Sequence, residues 1–187
     1  MNNREEVDRL QVEIGEIANR AQEEFGSLKP EQLNWKPAPK RWSIAQCFDH
    51  LITGNSTYFP IIEAVASGKR QTRAIERIPI LPGVWAKLLI KSLDPKTARK
   101  LKSPASFQPS VSEIAGTIVE DFVANQERVA ELMTATRDLD LDHIIITSPA
   151  AGAVTYSLMN AFRIVVVHEQ RHFIQAQRVK QEQLFPN

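Results

Sequence analysis

Two histidines four residues apart are the strongest chemical signal in this sequence. They begin and end the segment His168-Glu169-Gln170-Arg171-His172, which has the pattern HExxH. Because residues four apart on an α-helix lie one above the other, both imidazoles can face the same ion. In zinc proteases this pattern supplies two metal ligands and a glutamate that acts as general base. The pattern therefore predicts a metal site, with Glu169 as a candidate catalytic base.

The sequence after His172 lacks the third ligand that zinc proteases use. The extended form of their motif has glycine and histidine where this chain has Gln175 and Arg178, and only fifteen residues follow His172. A protease is therefore the weaker interpretation. A third ligand is expected from another helix, as in metal sites built inside helix bundles. His50 is the candidate, because it lies in a helical stretch whose neighbouring residues should pack inward.

The polar residues near these histidines have more than one interpretation. Glu169 lies about 100° around the helix from His168, so it either acts as a base or faces water, and we favour the solvated position. Gln46 and Gln175 lie near His50 and His172 along the chain. There they can orient the imidazoles, or they can be polar residues at the end of the bundle without such a role. Cys47 can be a fourth ligand, although a single cysteine in an apolar helix is more often a buried small hydrophobe.

The aromatic residues before His50 and the fourth histidine are expected to have no chemical role. Trp35 and Trp42 should pack a loop onto the helices rather than stack on a substrate. His143 follows the third helical segment in a polar stretch and should be exposed.

Four segments have the apolar spacing of amphipathic helices and must position the histidines. They extend approximately over residues 3–25, 43–67, 110–135 and 155–181. Capping boxes, Ser43 with Gln46 and Ser110 with Glu113, begin the second and third helices, and Pro60 should kink the second. Residues 144–147 can form one strand, but no partner strand is evident. The sequence predicts an all-α four-helix bundle that forms a single domain over residues 1–187.

A long basic crossover joins the second and third helices. Residues 69–102 contain ten lysines and arginines and two acidic residues, an excess of eight positive charges in a chain whose net charge is +1. A short amphipathic helix is expected after Pro82-Gly83. We favour a crossover that covers one end of the bundle with its lysines solvated, and an anionic substrate or partner is the alternative. Apolar residues around Trp85 also favour a homodimer.

Composition excludes several broad classes of protein. The 23 basic and 22 acidic residues nearly balance, so neither nucleic acid nor an anionic membrane is an expected partner. One cysteine allows no internal disulfide. No apolar run approaches the roughly 18 residues that span a bilayer. We expect a cytoplasmic protein that acts on a small molecule.

Two separated groups of residues resemble the signatures of a known family. The N-terminal group is Leu33-Asn34-Trp35-Lys36-Pro37, Trp42-Ser43-Ile44-Ala45-Gln46 and His50-Leu51, and the C-terminal group is Ser148-Pro149, Gly152, Thr155, His168-Glu169, His172 and Gln175. In this order and spacing they resemble the DinB/YfiT-like superfamily over about residues 33–178. The basic crossover matches no motif of that family.

The resemblance implies a four-helix bundle with a three-histidine site for one divalent ion, zinc or nickel before others. Its ligands would be His50, His168 and His172. Members with known activity include S-transferases and isomerases that use bacterial low-molecular-weight thiols, and others are described as metal-dependent hydrolases. A low-molecular-weight thiol is therefore an expected cosubstrate.

Three functions remain open from the sequence, and only two of them are enzymatic. The first, which we slightly prefer, is thiol transfer to a small electrophile, with the metal ion activating the thiol. The second is metal-dependent hydrolysis. The third is a non-catalytic, metal-stabilised binding module in a stress response. Nucleic-acid binding through the crossover ranks below these, because no aromatic residues or groove-reading motif accompany its charges.

Overall fold

The computed structural model describes residues 2–78, 81–95, 108–109 and 113–187. Over these residues the chain is mostly helical, with one small two-stranded antiparallel sheet. In the same part of the chain, no helix combines the length and the apolar character needed to cross a membrane.

Three long helices cross the molecule: α1 (Asn3–Phe25), α6 (Ile118–Thr136) and α7 (Leu158–Lys180). The apolar stripe that predicted α1 is buried, and Asn2 and Glu5 form a capping box at its start. α6 begins later than predicted. Thr117 precedes its first residue, and Glu113 lies outside it, while the predicted cap Ser110 lies outside the described residues.

The helix that carries His50 is shorter than predicted. α3 (Ile44–Ser56) begins at the expected capping box of Ser43 and Gln46, and α4 (Phe59–Ala66) follows as a separate helix. The single kinked helix predicted over residues 43–67 is therefore wrong. Pro60 lies in the first turn of α4, where its missing N–H is tolerated, so the chain breaks before the proline instead of bending around it.

Three shorter elements connect these helices. A short helix, α2 (Pro30–Asn34), forms within the stretch predicted as a loop. The crossover contains a 3₁₀ helix (Ala74–Arg77) and α5 (Leu81–Leu93). The short helix predicted there is present, but it includes Pro82-Gly83 instead of beginning after them. On α5, Val84, Trp85 and Leu88 remain exposed, and the homodimer that these residues favour stays a prediction.

The buried carboxylate of Glu76 attaches the crossover to the sheet. Its Oε1 accepts hydrogen bonds from the backbone N–H and the hydroxyl of Thr147, at 2.8 and 2.9 Å. Its Oε2 accepts from the guanidinium of Arg70 at 2.6 Å and from the N–H of Arg73 at 2.8 Å. These bonds satisfy a charge that would otherwise be costly to bury.

A β-hairpin precedes α7, so the all-α prediction is wrong in this respect. β1 (Ile145–Ser148) pairs with β2 (Ala151–Ser157), with Thr147 opposite Thr155. The sequence predicts that residues 144–147 can form a strand, which agrees with β1, but it predicts a loop and the first turn of the last helix where β2 lies. The helix instead begins at Leu158, because the side chain of Ser157 accepts a hydrogen bond from the N–H of Asn160 and forms the cap.

The core has two halves, and α7 contributes to both. The hairpin-side core includes Leu10, Met133, Tyr156 and Phe162. The histidine-side core includes Phe25, Phe48, Phe122 and Phe173. On α7, Val165 and Val166 belong to the first half and Phe173 and Ala176 to the second. The HExxH segment therefore lies where the two halves meet.

Candidate metal centre

The three predicted histidines come together between α3 and α7. His50 lies in the middle of α3, and His168 and His172 lie one turn apart on α7, against which α3 packs. Contact between these helices brings together residues 118 positions apart in the sequence. The convergence that the sequence could only suggest is therefore present in the structure.

The distances among the three rings suit a shared ion. Nε2 of His50 lies 3.0 Å from Nε2 of His168, and one ring nitrogen of each histidine lies within 4.8 Å of the other two. The ring centroids are 4.6 to 4.9 Å apart. Nitrogens bound tetrahedrally to one ion at ~2.1 Å would be about 3.4 Å apart. The 3.0 Å separation is shorter than this value and the 4.8 Å limit is longer, so the observed separations bracket it.

Burial gives the cluster the character of a metal site rather than of a surface patch. His50 and His172 are 4% and 8% exposed, and His168 is partly exposed. Nδ1 of His172 is buried and has no hydrogen-bond partner in the described part of the protein. A buried, unpaired polar nitrogen is costly, so this histidine fits a site in which the cluster is completed by an ion.

The imidazoles on α7 are held in the neutral form that binds metals. Burial, followed by the charges of His50 and Arg171, lowers the pKa of His168 to about 3. The pKa of His172 is also well below its usual value, chiefly because of burial and then because of His168. Only a neutral imidazole has a free electron pair for a metal. Near neutral pH, no proton has to leave these two rings before an ion binds.

Trp42 forms an aromatic wall beside the cluster. Its ring centroid lies 5.4 Å from that of His172, with the two planes 22° apart, and 4.9 Å from that of His50. Trp35 lies elsewhere and packs edge-on against Phe185. Both tryptophans therefore pack against the helices as predicted, Trp35 away from the cluster and Trp42 directly on two of its histidines.

The two predicted orienting glutamines lie close to the site. The side-chain oxygen of Gln46 accepts a hydrogen bond from the N–H of Ser43 at 3.2 Å, which completes the cap of α3. Gln175 lies beside His172 and acts to raise the pKa of that imidazole. The roles predicted for both in orienting the imidazoles stay predictions.

Glu169 is buried completely, so the solvated position that we favoured from the sequence is wrong. Its Oε1 accepts a hydrogen bond from Nδ2 of Asn55 at 2.9 Å. The amide of Gln126, oriented with its nitrogen towards the carboxylate, donates to both oxygens at 2.7 and 3.0 Å. Burial raises the pKa of Glu169 to about 8, while the two amides oppose the increase.

Two remaining candidates lie outside the cluster. Cys47 is buried in the histidine-side core, as expected of a small hydrophobe, and burial raises the pKa of its thiol. His143 is exposed and pairs with Asp140 at 2.9 Å. Over the described residues, His50, His168 and His172 are the only set of three or more His, Cys, Asp or Glu side chains close enough together to hold one metal ion.

The sequence matches a protein-family model. The family model described as the DinB superfamily matches residues 14–176, a range that includes all three histidines. No curated protein and no solved structure matches the chain.

Proposed function

The chain belongs to the DinB superfamily, and from this membership we propose that it binds one divalent metal ion on His50, His168 and His172 and activates a thiol or a water molecule there. The observation that supports the proposal is the convergence of three imidazole nitrogens within 4.8 Å. We further propose that the helices form the four-helix bundle expected from the sequence, with α3 and α7 as the two that hold the ion.

Three protein ligands leave a coordination position for a substrate. Structural zinc sites are usually closed by a fourth protein ligand, whereas catalytic sites keep three and bind water or substrate at the fourth position. The cluster found among the described residues has three members. A bound ion lowers the pKa of a coordinated water or keeps a thiol as thiolate.

The surroundings of the cluster support one direction of approach. His50 and His172 are buried and face the ring of Trp42, while His168 is the partly exposed member. We propose that the substrate reaches the ion beside His168. The ring of Trp42 covers the side of the cluster formed by His50 and His172 and limits access by water from that side.

Of the possible reactions, we propose thiol transfer first and hydrolysis second. The cosubstrate would be a low-molecular-weight thiol, and the ion would be zinc or nickel, since imidazole ligands suit both. A non-catalytic module that keeps the metal for stability is the alternative outside enzymes. Elemental analysis of protein purified without a histidine tag would identify the ion.

The proposal is tested by comparing metal-stripped and metal-loaded protein with a low-molecular-weight thiol and the electrophile 1-chloro-2,4-dinitrobenzene. We expect turnover in the loaded protein alone. His50→Ala should abolish it, and His143→Ala, which changes an exposed histidine, should not. Turnover that needs no added thiol would support hydrolysis. Equal rates in stripped and loaded protein would contradict any catalytic role of the metal.

A further inference from the structure

A buried polar network is built on Glu169, the residue next to His168. It joins Glu169 on α7 to Asn55 on α3 and to Gln126 on α6, and these three side chains are at most 2% exposed. Nδ2 of Asn55 donates to Glu169 and also to Oδ1 of Asn125, each at 2.9 Å. Gln126 donates to both carboxylate oxygens. The network therefore connects three helices through one carboxylate.

The network joins the two helices that carry the proposed ligands. Glu169 lies between His168 and His172 on α7, and Asn55 follows His50 by five residues on α3. The surrounding histidine-side core is apolar, and apolar contacts have no preferred direction. Hydrogen bonds between buried groups, in contrast, form only in certain directions. The carboxylate and its amides thus select one register of α3 and α6 against α7.

We infer that Glu169, Asn55 and Gln126 are positioning residues that fix the register of α3 and α6 against α7, so that His50 converges on His168 and His172. The inference rests on the proposed function, because it concerns the metal affinity of those same histidines. It gives the glutamate of this HExxH segment a different role from the general base of zinc proteases.

The geometry argues against Glu169 as the base. A base must reach, within hydrogen-bond distance, the proton that it removes. The carboxylate is inaccessible to solvent, and the amides of Asn55 and Gln126 engage its oxygens. Glu169 also leaves α7 about 100° away from His168. It faces the interior of the protein, whereas the proposed approach of the substrate is beside His168.

Substitutions at Glu169 separate positioning from other roles. Glu169→Leu removes both acceptor oxygens, so the buried amide of Gln126 loses its acceptor and that of Asn55 keeps only its bond to Asn125, which is costly. The helices can relieve this cost by shifting, which would displace His50 from the pair on α7. Glu169→Gln can keep the network, because one oxygen still accepts from Asn55 and the Gln126 amide can turn its oxygen towards the new side-chain nitrogen.

The test measures Co²⁺ binding to the full chain through the affinity and the visible absorption of the bound ion, which reports coordination geometry. We expect Glu169→Leu and Asn55→Leu to weaken binding about 10- to 100-fold and to change the spectrum. Glu169→Gln should restore both to near wild type. Met133→Ala, a cavity in the hairpin-side core, should lower stability while leaving affinity and spectrum unchanged.

Each alternative outcome has a separate meaning. Wild-type binding and spectrum in a folded Glu169→Leu or Asn55→Leu protein would overturn the inference. Glu169→Gln with binding as weak as that of Glu169→Leu would also overturn it, since a side chain of the same shape that can keep the network would then fail to preserve the site. If neither leucine variant folds, Gln126→Leu gives the same comparison from α6. Wild-type protein that binds no Co²⁺ would instead contradict the proposed function.

Discussion

The neutral state of the histidines on α7 has a measurable consequence at the level of single residues. Exposed imidazoles have pKa values near 6.5, so protons compete with metals as the pH falls below that value. Burial lowers the pKa of His168 to about 3 and that of His172 well below its usual value. Protons should therefore compete poorly for these two ligands under mildly acidic conditions.

We predict that metal affinity falls less steeply, as the pH decreases from 7 to 5, than it would for a site of three exposed imidazoles. The logarithm of the Co²⁺ dissociation constant, measured by titration at several pH values, should change by at most about one unit per pH unit, since two of the three ligands need release no proton. A slope approaching three would show that all three imidazoles are protonated in the metal-free protein, contrary to the prediction.

A second residue-scale prediction concerns Glu6, a buried carboxylate at the interface of α1 and α7. Hydrogen bonds from Arg9, and then from Arg163, lower its pKa to about 2 against the raising effect of burial. Because the folded-state pKa lies below the unfolded value of 4.5, the stabilisation is complete above pH 4.5 and is lost as the pH falls towards 2.

Glu6→Gln should therefore lower the free energy of unfolding by about 2 kcal/mol at pH 7 and by clearly less at pH 3. Urea unfolding of metal-free protein at the two pH values measures the difference. Both proteins should be compared at each pH, because other groups also titrate. An equal cost at both pH values would mean that the charge of Glu6 does not contribute.

Local sequence signals identified the three histidines but not the environment of Glu169. An HExxH segment can be recognised from the sequence alone, and the apolar neighbours of His50 indicated that this residue faces inward. The partners of Glu169 are Asn55 and Gln126, which lie 114 and 43 residues away along the chain and on other helices. No periodicity or short motif connects them, so only the packed structure shows that the glutamate is buried.

At the level of elements, the sequence located helices better than their ends. α1 and most of α7 were predicted from their apolar spacing, and the cap of α3 from Ser43 and Gln46. β2 was missed because Ala151–Ser157 contains small residues and lacks clear alternation. Whether this segment forms a strand depends on its pairing with β1 and its packing on α5. Both are tertiary effects.

Two helix caps provide a matched pair of substitutions at this scale. Ser43 begins α3, and Ser157 begins α7, and each hydroxyl accepts a hydrogen bond from a backbone N–H of the first turn. Ser43→Ala and Ser157→Ala should each lower the free energy of unfolding by about 1 kcal/mol. Chemical denaturation measures both changes.

Only Ser43→Ala should also weaken metal binding. Ser43 adjoins Trp42, which packs against His50 and His172, whereas Ser157 precedes His168 by a helical distance of about 16 Å. Metal titration of the two variants under the same conditions makes the comparison. A similar loss of affinity in both would indicate that general destabilisation, rather than the start of α3, controls the site.

At the level of the whole molecule, a bound ion would tie α3, which packs in the histidine-side core, to α7, which contributes to both halves of the core. A ligand that binds only the folded state stabilises it, by about 2.7 kcal/mol when its free concentration is 100 times its dissociation constant. For a chain of this size, this corresponds to an increase in Tm of roughly 5 to 10 °C.

We therefore predict that zinc raises the Tm and that a chelator reverses the change, as measured by calorimetry or circular dichroism. His50→Ala should remove most of the effect, and the exposed His143→Ala should retain it. A Tm that is the same with zinc and with chelator in wild-type protein would contradict the proposed site.

The position of Trp42 gives the protein an internal optical sensor. The chain contains three tryptophans, and the indole of Trp42 is stacked on His172. An open-shell ion such as Co²⁺ held by that imidazole should quench the fluorescence of this indole, whereas closed-shell Zn²⁺ should leave it bright. Trp42→Phe would remove the quenching and Trp35→Phe would not. Occupancy of the site could then be followed in real time without any added dye.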